Sequence, residues 1–379
     1  MQELWSQRAD AAEGAVVARH MRRLWGLPGT TLGVVAWPPV RRERMFLRWH
    51  YWWQAHLLDC AVDAADRELT PKRRRRLNKI TRAHRTRNIS GWTNNYYDDM
   101  AWLGLALERA QRQHFVGNRG GIQQIEMALF DAWAPAEGGG IPWRKKDDFY
   151  NAPANGPAAI MLARTGRLWR AQEMSDWMNR TLSDSRTGLI IDGVHSTRAI
   201  VDAGKQPEAE RAIYSYCQGV ALGLETELAV RLGEPRHAKR VHALVDAVEN
   251  HLTRNLVITG GGGGDGGLFN SILARYLAVV AVELPGDSDA DDRARELAAA
   301  IVLNSAEAAW ENRLEVEDNP LFGADWTREA RFPGQGLHIA TFTEGTVRPS
   351  DVPERDLSVQ LGGWMLMEAA YRVSAAGFR

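Results

Sequence analysis

The chain has 379 residues, enough to bury a large core. Its 47 basic and 47 acidic side chains balance, so overall charge points to neither a nucleic-acid nor a membrane partner. Two cysteines, Cys60 and Cys217, lie inside apolar helical patterns; they are too few for a disulfide framework and read as small core residues.

No apolar span of transmembrane length stands out, so no membrane-crossing helix is expected. The opening segment Met1-Gln2-Glu3-Leu4-Trp5 lacks the apolar run of a secretory signal, which predicts a cytoplasmic protein. Tryptophan is abundant, with 15 residues. Flat rings fill cores, but they also stack on sugar faces, and their number tilts the reading toward carbohydrate.

Helical periodicity dominates and strand alternation is scarce. In chain order, helices are predicted over roughly 3–24, 42–68, 71–86, 99–115, 121–133, 152–166, 168–183, 212–232, 236–255, 268–284, 289–311 and 355–375. Irregular stretches fall at 26–41, 134–150, 184–211, 256–267 and 312–354. The run Lys72-Arg73-Arg74-Arg75-Arg76, continued by Lys79, Arg82, Arg85 and Arg87, has no interleaved aromatics and reads as the solvated face of an outer helix. Gly260 to Gly264, followed by Asp265, lacks the Lys-Ser/Thr of a phosphate-binding loop; a flexible turn close to a pocket is expected.

The helices come in pairs whose first members open on polar residues: Asp99, Asn155, Gln218 and Asn270. These openings recur at intervals of roughly 50 to 60 residues, a loose repeat of helix hairpins. Stacked side by side, such hairpins place the polar openings at one end. Closing them into two concentric rings predicts an all-α (α/α)6 barrel of paired helices, one domain over 1–379; an open solenoid is the rival.

Asp98 and Asp99 stand at the mouth of a helix, just ahead of the apolar run Leu103, Ala106, Leu107, Ala110. Glycoside hydrolysis needs one ionised and one protonated carboxyl, separated by about 5–5.5 Å for retention. Consecutive residues supply the shorter spacing naturally. A helix N-terminus favours an anion, while a close like charge and the bulk of Tyr97 and Trp102 raise the neighbour's pKa. This assigns Asp98 as nucleophile and Asp99 as acid/base. The bland alternative is an acidic N-cap, common before any apolar helix. No His/Cys ligand spacing accompanies the pair, so no metal or cofactor is expected.

The segment Tyr96-Tyr97-Asp98-Asp99-Met100-Ala101-Trp102 resembles the Asp-Asp signature of glycoside hydrolase family 76, the endo-α-1,6-mannanases. Further segments resemble that family in the same order: Gly138 to Trp143, Asn151 to Pro157, Leu189 to Gly193, Tyr214 to Val220 and Phe269 to Leu277. The resemblance covers roughly 45–375. It implies an (α/α)6 barrel, retaining hydrolysis of α-1,6-linked mannose, and the two catalytic roles already given to Asp98 and Asp99. Cys217 stands where the family usually has Asn, and Asn270-Ser271 where it commonly has Lys-Gly, departures that bear on the substrate.

Sugar-contacting candidates follow from chemistry and from position at helix starts. They are Asp192, Asn155 and Gln218 for hydroxyls, Trp143 and Tyr216 as stacking platforms, Tyr97 beside the dyad, and Trp53 on the helix that also carries Trp52 and Gln54. His56 reads as a core histidine. The expected partner is an α-1,6-linked mannose-containing carbohydrate. A transglycosylase on the same dyad and a non-catalytic glycan-binding protein are the alternatives.

Overall fold

The computed structural model describes residues 1–89, 91–196, 209–334 and 338–379. The irregular stretches expected over 184–211 and 312–354 lie partly outside these residues. Twelve long helices are described: α1 (Gln2–Arg19), α2 (Tyr51–Arg67), α3 (Pro71–Arg87), α4 (Tyr97–Arg112), α5 (Arg119–Asp131) and α6 (Ala152–Arg164). They continue with α7 (Leu168–Leu182), α8 (Ser215–Leu232), α9 (Pro235–Leu252), α10 (Phe269–Glu283), α11 (Asp289–Glu311) and α12 (Leu357–Ala375).

Burial sorts them into two rings. In α8 every residue from Cys217 to Ala229 is buried, the mark of a helix packed on all sides. Its partner α9 buries His237, Val241, Leu244, Val245 and Val248, a single stripe facing inward. Packing runs α2 to α4 to α6 to α8 to α10 to α12 and back to α2, closing the inner ring, while α1 packs on α12 from outside. The fold is an (α/α)6 barrel. Where inner helices meet, side chains are trimmed to let backbones approach: a Cβ on Gly219 would sit 2.9 Å from the Leu273 Cα.

Three expectations are corrected. The helix predicted over 42–68 is a single turn, Arg41–Arg44, followed by a break and then α2. Phe46 and His50 take positive φ in that break, which an α-helix does not accommodate. Contrary to the sequence reading, Gly264–Glu283 is long and apolar enough to cross a membrane, but 67% of its apolar window is buried inside the protein. It is an inner-ring helix with its lead-in. The glycine run before it is not a loose turn: Gly264 has φ +58, and any Cβ there would meet the Val347 carbonyl.

Four inner helices share a device at their fourth residue. The Gln54 amide pairs with both N–H and C=O of Gly33 and donates to the Trp49 carbonyl. Asn155 does the same with Ile141 and Asn151, and Gln218 with Ile190 and Tyr214. Gln360 repeats it on Phe322 and Glu354. Each amide stitches the first turn of an inner helix to a loop at the barrel mouth. Removing one leaves the N–H and C=O of a buried loop residue unpaired, at about 1–3 kcal/mol each before relaxation. Gln218→Leu is therefore expected to lower unfolding free energy by roughly 3 kcal/mol or more in a denaturant titration; a loss within error would show that the clamp is replaceable.

Candidate active site

The N-termini of the inner helices and the loops before them enclose a cleft of about 820 Å³. Asp98 and Asp99 line it from the first turn of α4, with Tyr96 rather than either aspartate at the N-cap position. Neither aspartate is the N-cap residue, although the Asp98 carboxyl still takes a first-turn N–H.

The two are hydrogen-bonded differently. Asp98 accepts from the Asp99 backbone N–H at 2.8 Å and from the Trp143 indole N–H at 2.9 Å. Asp99 accepts from the Asn94 side-chain amide. Burial pushes the Asp98 carboxyl up to about 7, against the two donors that favour its ionised form. Asp99 is driven well above the usual carboxylate range, first by burial and then by the charge of Asp98. The arrangement thus splits the pair, with the proton favoured on Asp99.

Among the other residues proposed from sequence, Asp192 lines the cleft, and burial together with Glu210 and Asp98 raises it to about 7. Trp143 lines it too, though it also donates to Asp98. Tyr216 lies on the wall with its ring stacked on Phe269, centroids 3.9 Å apart. Four candidates do not reach the cavity. Asn155 and Gln218 are fully buried, with both ends of each amide committed to the clamps. Trp53 is fully buried, and Trp52, one residue earlier, lines the cleft in its place. Tyr97 is absent from the cleft wall; its ring packs against the core, and Asp131 acts on its phenol. His56 is a core residue, as expected, held between the rings of Trp52 and Trp102.

Several wall residues escaped the sequence reading, among them Asp265, His50, Glu210, and Arg144 with its partner Asp147. Asp265, inside the glycine run, accepts from the indole N–H of both Trp52 and Trp53 at 3.0 Å and from the Val347 N–H at 2.6 Å. Burial raises its carboxyl to about 6. The only signal was a lone acid among glycines. His50 lines the cleft from the break before α2, and burial lowers its imidazole to about 4, leaving it neutral. A short hairpin, Thr341–Thr343 with Thr346–Arg348, hangs over the mouth. It precedes α12, yet a Cβ on its Gly345 would meet the Trp143 ring, which belongs to the loop before α6. Among the described residues no group of His, Cys, Asp or Glu is placed to hold a metal ion.

The family model of glycosyl hydrolase family 76 matches residues 8–342. The chain belongs to that family. Its fold closely follows that of the GH76A α-1,6-mannanase of Salegentibacter sp. HEL1_6, at 25% identity over 97% of this chain and 98% of that one, with a TM-score of 0.77. An inactive variant of the same mannanase, with two consecutive aspartates changed to asparagine, is in complex with α-1,6-mannotriose; it matches with a TM-score of 0.78, 25% identity, and coverage of 97% and 99%. The Lin0763 protein of Listeria innocua shares the fold at 22% identity, TM-score 0.78, covering 99% of each chain. No curated protein sequence matches. As a family 76 member with this fold, the protein is a glycoside hydrolase.

Each cleft carboxyl with a raised pKa binds more protons folded than unfolded. Its contribution to stability is full at low pH and is lost as pH rises from about 3.8 through its folded value, near 7 for Asp98. Asp98→Asn and Asp99→Asn should therefore each raise the melting temperature at pH 8 and narrow the gap between pH 5 and pH 8. A lower melting temperature in both would contradict the burial cost inferred for the pair.

Proposed function

We propose that this glycoside hydrolase cleaves α-1,6-mannosidic bonds with retention, Asp98 acting as nucleophile and Asp99 as acid/base. The observation that carries the assignment is the unequal treatment of two consecutive carboxyls. Two N–H donors hold Asp98 for attack, whereas burial and then the Coulomb field of Asp98 keep a proton on Asp99. A structural neighbour that is inactive with two consecutive aspartates replaced, and that carries α-1,6-mannotriose, supports the same reading here.

In the first step an Asp98 oxygen bonds to the anomeric carbon while Asp99 gives its proton to the departing glycosidic oxygen. In the second, Asp99, now ionised, takes a proton from water as that water displaces Asp98. Trp143 has two duties: its indole N–H keeps Asp98 aimed, and its ring offers a face to the sugar. Asp192 accepts from mannose hydroxyls, and Tyr216 and Trp52 supply flat walls.

Asp98→Asn and Asp99→Asn are each expected to lower kcat/KM on α-1,6-mannooligosaccharides by roughly 10³-fold or more. NMR of the first product should show the α-anomer; a β-anomer would exclude the retaining scheme. Activity needs Asp98 ionised and Asp99 protonated, so kcat/KM should rise through about pH 7 and fall where Asp99 loses its proton. Trp143→Phe removes a donor to the Asp98 carboxylate and should carry the rising limb to higher pH. An unmoved limb would show that the indole does not act on Asp98.

A further inference from the structure

The basic run on α3 does not stand alone. Residues 19–48 and 71–87 together hold sixteen arginines and lysines and a single acid, Glu43, which is buried. In a chain with no net charge, the remainder is correspondingly acidic. Eleven of these cations are exposed: Arg22, Arg23, Arg41, Arg42 and Arg44 on the first segment, and Lys72, Arg74, Arg75, Lys79, Arg82 and Arg85 on α3. The inward-facing arginines of the same helix are paired, Arg73 and Arg76 with Glu13. None of the eleven has a salt-bridge partner among the described residues.

The two segments form one continuous face. The Thr31 N–H donates to the Lys79 carbonyl, and Arg22, Arg23, Lys72, Arg75 and Lys79 surround a groove of about 360 Å³ that no acidic side chain lines. The Trp25 indole donates to the Met45 carbonyl at 2.8 Å, and Arg87 donates to the Phe46 carbonyl at 2.9 Å. Arg48 donates to the Ala340 carbonyl, carrying the face to the hairpin at the cleft mouth.

Large apolar side chains lie exposed among these charges: Trp25, Leu27, Val40, Met45 and Leu47, the last 66% exposed. Phe342, on the hairpin that lines the cleft, is 58% exposed. Water-facing leucine and methionine next to unpaired arginines suit neither solubility nor core packing. A nucleic acid would answer the charge, but its bases stack on aromatic rings, and here the exposed apolar groups are mainly aliphatic. Cations that meet anionic headgroups, with aliphatic side chains dipping between them, are the chemistry of a lipid surface.

We propose that this face docks the barrel, mouth edge first, on a membrane rich in anionic headgroups, presenting the cleft to sugars at that surface. The docking stands apart from the catalytic assignment, because no residue of the dyad takes part.

Sedimentation of the full chain with phosphatidylcholine vesicles, with and without phosphatidylglycerol, tests it. The protein should pellet with the anionic vesicles alone and be released at high salt. Arg42→Glu/Arg44→Glu/Arg85→Glu, at the mouth end of the face, should weaken that binding by roughly 100-fold, at about 1 kcal/mol for each cation removed. Leu47→Ser/Met45→Ser should weaken it several-fold with charge intact. Both variants alter exposed side chains, so hydrolysis of a short soluble α-1,6-mannooligosaccharide and the melting temperature should hold. Equal pelleting with neutral vesicles, or binding to single-stranded RNA that the Leu47→Ser/Met45→Ser pair leaves untouched while vesicles stay unbound, would overturn the proposal.

Discussion

The structure depends on four side-chain amides that read the backbone of the loops above them. Gln54, Asn155, Gln218 and Gln360 occupy the same turn of four inner helices, each engaging both polar groups of one loop residue. A loop at a barrel mouth has no sheet or helix to satisfy its N–H and C=O groups, so a buried amide with one donor side and one acceptor side is a near-complete answer. The consequence reaches the cleft. Asn155 fixes Ile141, two residues before Trp143, and Gln218 fixes Ile190, two residues before Asp192. Two cleft residues thus inherit their positions from amides that never touch the cavity. α4 and α10 have Met100 and Ile272 at the corresponding position, and α4 is the helix that carries the dyad.

This register explains what the sequence could and could not disclose. The paired helices were legible because inner helices are apolar all round and outer ones on a stripe, and both patterns survive in one dimension. Asp98 and Asp99 stood out through the family motif around them and not by position alone, because acids in a first turn are common, as Asp289, Asp291 and Asp292 of α11 show. Its neighbours were misjudged by rotation. Successive residues in a helix turn by about 100°, so one polar opening faces the cavity at one residue and the barrel wall two residues on. Trp52, Asp98 and Tyr216, each second in its helix, face the cleft; Gln54 and Gln218, each fourth, face the wall. Asn155 and Gln218 were polar and at helix starts, which is all that sequence supplied. Asp265 had the opposite problem, since nothing periodic surrounds it and its role arises from indoles that come from α2.

The cleft is held together against its own electrostatics. Asp98, Asp99, Asp192 and Asp265 share one cavity, and each has its pKa raised, first by burial and then by neighbouring acids. No arginine or lysine forms an ion pair with any of them among the described residues; indole and backbone N–H groups and the Asn94 amide do that work instead. Neutral donors orient a carboxyl without locking it in the ionised form, as a close guanidinium would. The proposed mechanism, with one acid charged and its neighbour protonated, would gain from that choice. The same lack of ion pairs costs stability as pH rises, a penalty the clamped loops and closed inner ring have to carry.

Balanced composition hid this separation. Equal numbers of acids and bases suggested a surface without preference, yet the acids gather in the cleft while unpaired bases gather on α3 and the segment leading into α2. Arginine is plentiful at the far end of the inner helices, where Arg109 and Arg275 pair with Asp59 and Asp63. The one arginine on the cleft wall among the described residues, Arg144, pairs with Asp147 and not with the dyad, so the lack of ion pairs at Asp98, Asp99, Asp192 and Asp265 reflects placement and not supply. One consequence is a field directed across the mouth, negative within and positive along one edge. A neutral sugar is indifferent to that field; an anionic surface bearing the sugar is not, because it would be drawn to the edge and kept from the dyad. Charge in this fold thus sorts approach from chemistry, and a sum over the chain could not reveal it.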